Sequence, residues 1–246
     1  MSIDSVSDLW DTLLGAQPDP PGLLVLVTAV IALAVVAYRP LWRVARNAIT
    51  IAHEGGHALV ALLTGRKLRG IRLEFDTSGL TLSAGRPTGP GMMFTLLAGY
   101  IAPSLVGLAG AWLLGGNRIT LLLWLAVVLL LLMLINIRNA FGVVSVLLTG
   151  AIVLGVSWYA SPQVQAAFAY VSVWFLLIGG VRPVFELQKL RSRGRMRESD
   201  ADQLAGVTHV PALFWVGVFL AVDLGALVIG SFLLAGQWLP AVSTGL

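Results

Sequence analysis

A chain of 246 residues that is 57% hydrophobic, only 11% charged and has a mean hydropathy of +0.88 is not a soluble globular domain, in which about 25% of residues are charged. Its net charge of +4 comes from basic residues beside apolar runs, where they set topology and touch anionic lipid; no aromatic–basic interleaving suggests a nucleic-acid partner. The absence of cysteine excludes disulfides, thiolate metal sites and cysteine nucleophiles, which leaves histidine and carboxylate as the metal-binding groups.

Residues 1–20 form an acidic tail carrying Asp4, Asp8, Asp11 and Asp19 and no Lys or Arg. A cleaved signal peptide needs a basic start, so the apolar run that follows is expected to be a retained helix. A span needs about 20 mostly apolar residues. The segments that qualify are 22–38, 47–64, 87–116, 119–137, two within the uncharged stretch 139–181 divided at Ser161-Pro162, and 211–234, interrupted only by Asp223. The expected fold is an all-α polytopic membrane protein of six to seven transmembrane helices with one small β-hairpin, residues 21–246 forming a single integral membrane domain. No internal repeat supports a transporter built on inverted halves.

The hairpin is expected at 68–85. Ile71, Leu73 and Phe75 alternate with Arg72 and Glu74, Asp76-Thr77-Ser78-Gly79 turns the chain, and Leu80 and Leu82 alternate after it. Such a hairpin offers an edge strand to an unfolded substrate segment. A basic loop is expected over 182–210, with Arg182, Lys189, Arg191, Arg193, Arg195 and Arg197 followed by Glu198-Ser199-Asp200-Ala201-Asp202. Seven spans with a cytoplasmic N-terminus place twelve Lys and Arg in the cytoplasm (the hairpin region, Arg138 and the basic loop) and four outside, Arg39, Arg43, Arg46 and Arg118. The positive-inside rule favours that orientation, although the first span has its basic flank outside. Six spans would put the N-terminus outside.

The second candidate span contains His53-Glu54-Gly55-Gly56-His57. Histidines four apart share one helix face and present two imidazoles to one zinc ion, and the glutamate between them is placed as general base towards an activated water. A catalytic zinc takes three protein ligands. Two histidines and a glutamate within hydrocarbon need partners, which makes them a functional site by default. Gly55 and Gly56 suit close approach of another helix or of a substrate backbone. His209, before Pro211 at a membrane boundary, reads as structural.

The chain resembles site-2-type intramembrane metalloproteases, the peptidase M50 family, and more closely its compact M50B-like bacterial branch. The resemblance rests on Ala52-His53-Glu54-Gly55-Gly56-His57-Ala58, the hairpin after it, Leu97-Ala98-Gly99-Tyr100-Ile101-Ala102-Pro103, Arg138-Asn139-Ala140-Phe141-Gly142 and Ser199-Asp200-Ala201-Asp202-Gln203-Leu204. It implies an intramembrane zinc endopeptidase in the plasma membrane, cleaving a transmembrane segment of a protein substrate. It also implies a third zinc ligand from a distant aspartate. The family's usual Asn-Pro…Asp-Gly arrangement is missing, so the order of candidates is Asp200, Asp202, then Asp223, with a helix N-cap region as the plain alternative for the first two. Asn139 either holds the substrate carbonyl or oxyanion, as an asparagine does in related proteases, or caps the helix that follows. The alternative function is a non-catalytic membrane protein using the metal for structure or sensing. The sequence carries no signal for oligomeric state.

Overall fold

The computed structural model describes residues 15–194 and 198–236. Most of the acidic tail, including Asp4, Asp8 and Asp11, lies outside the described residues, as do Arg195 and Arg197. Eight helices and one hairpin make up the described chain: α1 (Gly22–Ala37), α2 (Arg39–Leu63), β1 (Lys67–Leu73), β2 (Gly79–Ala84), α3 (Pro90–Gly115), α4 (Ile119–Asn136), α5 (Ala140–Tyr159), α6 (Pro162–Ser192), α7 (Asp200–Thr208) and α8 (Ala212–Ala235). Helices α3, α4, α5, α6 and α8 are long and apolar enough to cross a membrane, and α1 and α2, bent by 102° at their junction, pass the same test only as a pair. Side chains such as Leu129, Leu132, Ile135, Leu147 and Leu148 stand exposed on α4 and α5, as lipid-facing surfaces require.

The first two expected spans are thus one bent unit. Tyr38 is extended between the helices and Pro40 sits in the first turn of α2, a position that proline tolerates. Arg182 of α6 holds the elbow. Its guanidinium donates to the Val36 carbonyl at the end of α1 and lies 4.7 Å over the Trp42 ring. Glu186 accepts from Arg182 at 2.9 Å and from the Trp42 indole at 3.2 Å, and pairs with Arg46 at 3.5 Å. Arg39, Arg43 and Arg46 therefore belong to the elbow and the start of α2 and do not line an outer loop.

The bent unit changes the topology. Gln17 donates its backbone N–H to Asn117 and its side-chain amide to Thr120, and Asn117 donates to Asp19. The segment before α1 is therefore at the α3–α4 end of the bundle, opposite the hairpin, Arg138 and α7. Residues 15–21 thus stand at the end away from the basic face, and the bent α1–α2 pair is the candidate for a sixth span beside the five single helices.

The stretch expected as a basic loop is mostly helix. α6 continues to Ser192, supported by the Arg182–Glu186 pair one turn apart, and α7 forms within the remainder. Leu204 and Ala201 of α7 are buried against Leu96, Leu187, Val216 and Phe219. The hairpin forms as expected, with Ile71 and Leu73 buried against Ile51, Ala58, Met133 and Val146. Of the hairpin's two edges, that of β1 is covered: Ile71 bridges Ile137 in parallel and its carbonyl accepts from the Arg138 N–H at 2.9 Å.

Candidate metal centre

The centre is assembled from α2 and α7, with α3 as its floor. His53 and His57 lie one turn apart on α2, and their Nε2 atoms are 3.1 Å apart. Asp200, the first residue of α7, brings Oδ2 to 3.3 Å from each of them. These three atoms are the one group of convergent His and carboxylate donors among the described residues. A tetrahedral zinc with bonds of about 2.0–2.1 Å needs ligand atoms about 3.3 Å apart. Edges of 3.1, 3.3 and 3.3 Å meet that requirement, and the donor set of two imidazoles and one carboxylate suits zinc.

The surroundings fix these donors. The Nδ1–H of His57 donates to the Thr95 carbonyl at 2.7 Å, which leaves the Nε2 lone pair available to a metal, the outer-shell arrangement common around metal-bound histidine. The His53 ring stands edge-on to Tyr100 at 4.9 Å, and Tyr100 stacks on Phe219 of α8 at 4.9 Å. Two glycines permit the close packing. A Cβ at Gly56 would fall 2.3 Å from Ala102 Cβ, and one at Gly99 would fall 2.3 Å from His57 Nε2. Gly55 has no such neighbour, so only the second of the two motif glycines serves helix approach.

Asp200 is held ionised. Burial acts to raise its pKa, but the imidazoles of His57 and His53 outweigh it and hold the carboxyl well below the usual carboxylate range. The N-terminus of α7 adds partial positive charge at the same place.

Glu54 is buried on the same helix, beside His53. The hairpin covers it: the Thr81 hydroxyl donates to Oε2 at 2.6 Å, and a Cβ at Gly79 would fall 2.4 Å from Oε1.

Asp202 and Asp223 do not join the metal group. Asp202 closes a capping box with Ser199 and accepts from Arg191 at 2.7 and 3.1 Å. Burial acts to raise its pKa, and the bonds from Arg191 and Ser199 lower it overall. Asp223 is fully buried on α8, where its carboxyl interacts with the Ser104 hydroxyl of α3. Asn139 makes no side-chain cap for α5. Its amide instead donates to the Leu73 carbonyl at 2.7 Å and accepts from the Leu73 N–H at 3.2 Å, extending the sheet by one side chain. His209 ends α7 in a left-handed conformation, apart from the metal group.

Comparison with protein families matches residues 26–230 to Peptidase M50B-like, a match over most of the chain that includes every residue of the centre. The chain belongs to the Peptidase M50B-like family. No curated protein and no solved structure matches it significantly. M50 peptidases are zinc-dependent in general, and the His–His–Asp group is a possible metal-binding group. Gly99, Thr95 and Thr81 were not assigned a role from sequence, and Gly79 was assigned only to the hairpin turn. A glycine inside an apolar span next to a tyrosine was the available signal for Gly99, and Thr81 carried none.

Proposed function

We propose that the chain is an intramembrane zinc endopeptidase acting on a transmembrane segment of another protein. The observation that carries this reading is the convergence of His53 Nε2, His57 Nε2 and Asp200 Oδ2 at 3.1–3.3 Å beside a buried glutamate. Three convergent protein donors among the described residues match the ligand count of a catalytic zinc site.

His53, His57 and Asp200 would hold the zinc, which when bound supplies Lewis acidity and makes a water nucleophilic near neutral pH. Glu54 takes a proton from the water that attacks the scissile carbonyl. As the carbon–nitrogen bond breaks, Glu54 returns that proton to the departing nitrogen. Asp200 stays anionic throughout, and the Thr95 carbonyl keeps the His57 ring in one orientation.

A substrate helix hides its peptide bonds in its own hydrogen bonds, so it has to unwind to be cut. With β1 closed by Ile137 and Asn139, the outer edge of β2 is the edge offered to an unwound strand, and it adjoins Glu54 through Thr81. Asn139 then serves the site by holding β1. The basic end of the bundle faces the cytoplasm of a cell with this chain in its plasma membrane.

The test uses purified protein in lipid nanodiscs and a peptide spanning a transmembrane segment. Wild type is expected to cleave it, and Glu54→Gln to retain zinc but lose cleavage. Glu54→Gln protein cleaving at the wild-type rate would overturn the reading.

A further inference from the structure

We infer that Thr81 is the positioning residue for Glu54, so that the hairpin sets the orientation of the base; the inference rests on the peptidase reading above. Three observations carry it. The Thr81 hydroxyl lies 2.6 Å from Glu54 Oε2 and 3.2 Å from the Glu54 backbone carbonyl, so its proton goes to the nearer carboxylate oxygen. Gly79 lies against the other oxygen so closely that a Cβ there would fall 2.4–2.6 Å from Glu54 Oε1, Cγ and Cδ. Glu54 itself is only 3% exposed.

Strand geometry explains why these two positions act together. Gly79 and Thr81 are two apart on β2 and share a face, while Leu80 and Leu82 lie on the other and are exposed. The inward face of β2 is therefore small and polar at the positions above the glutamate. Backbone pairing then transmits the placement: Thr81 is opposite Ile71, Ile71 bridges Ile137, and Ile71 is packed into the cluster with Ile51 of α2. A carboxylate on a helix has three rotatable side-chain bonds. One short hydrogen bond and one wall leave it a single orientation relative to His53 and His57. A substrate strand seated on the outer edge of β2 would press on the element that aims the base.

The full chain in nanodiscs is compared with Thr81→Val, which keeps shape and removes the hydroxyl, with Thr81→Ser, which restores it, and with Gly79→Ala. Hydrogen–deuterium exchange over residues 79–84, zinc content, and kcat and KM on the transmembrane peptide are measured. In Thr81→Val, exchange is expected to rise about tenfold, the size of one hydrogen bond. Its kcat should fall about 10–100-fold, the scale of a misplaced catalytic group, with KM and zinc content unchanged. Thr81→Ser should return both readouts to near wild type, and Gly79→Ala should lose kcat while keeping zinc. Wild-type kcat in Thr81→Val overturns the inference, as does a loss of kcat that only follows zinc loss or that serine fails to rescue. A wild-type protein that cleaves nothing overturns the peptidase reading itself, and the exchange arm then reports the Thr81–Glu54 contact by itself.

Discussion

Gly99 stands against His57 so closely that a single added carbon would lie 2.3 Å from Nε2, the atom facing Asp200. The glycine is part of the metal site although it offers no ligand atom. In the middle of a helix, alanine is favoured over glycine by about 1 kcal/mol, so a Gly99→Ala variant gains backbone propensity while its methyl group enters the donor cluster. The expected outcome is a protein that is folded and zinc-poor. Elemental analysis should give well below the wild-type zinc content, with thermal stability of the metal-free protein at or above that of wild type.

The two aspartates of α7 separate by function. Asp200→Ala removes one of the three proposed zinc donors and should abolish stoichiometric zinc binding. Asp202→Ala should keep zinc and lose the capping box and the Arg191 pair, at about 1 kcal/mol for the cap. The pH dependence follows from the direction of the Asp202 shift. Its folded-state pKa lies below the unfolded value of about 3.9, so its contribution is fully present above that value and lost as pH falls through the folded pKa. The stability gap between wild type and Asp202→Ala should stay constant from pH 7 down to about 5 and close under more acid conditions. Thermal denaturation of the two proteins across pH measures it.

The helices α3, α4, α5 and α8 were legible because hydropathy alone defines them, and the hairpin because its turn residues and alternation do. The bend that joins the first two expected spans was not legible, for a local reason. Pro40 and three arginines follow Tyr38, and the sequence does not reveal that Arg182 and Glu186, far along the chain, gather that elbow into the bundle. The alternation in β2 was seen but not its sense. Leu80 and Leu82 look like the buried set, yet the inward face holds Gly79 and Thr81 because it meets a glutamate. At the centre, His53, Glu54 and His57 follow from helix period alone. The choice among Asp200, Asp202 and Asp223 depended on how α7 docks on α3 and α8, a tertiary fact.

Asp223 illustrates the cost of a carboxyl enclosed within the bundle. It is fully buried on a spanning helix, and its interacting neighbour is a neutral hydroxyl, that of Ser104. Ionising it there is unfavourable, and it lies outside the metal group. Asp223→Asn keeps the shape and removes the possibility of charge. The variant should bind zinc at the wild-type ratio and melt at the same or a higher temperature at pH 8. A fall in zinc content would instead return Asp223 to the ligand set.

Asn139 is the reverse case, a polar side chain fully used. It donates to and accepts from Leu73, which is itself fully buried, so the amide stands in for the next residue of a strand. Asn139→Ala strands a buried N–H and a buried C=O, each worth about 1–3 kcal/mol when unsatisfied. Asn139→Asp keeps the acceptor for the N–H but sets a carboxylate oxygen against the Leu73 carbonyl, so it should be no better tolerated. Both variants should retain zinc, because the donors sit on α2 and α7 and not on the sheet. Both should show faster hydrogen exchange through β1 than wild type. Loss of zinc in either would mean that the sheet supports the metal group directly, and unchanged exchange would mean that Ile137 holds β1 without the help of Asn139.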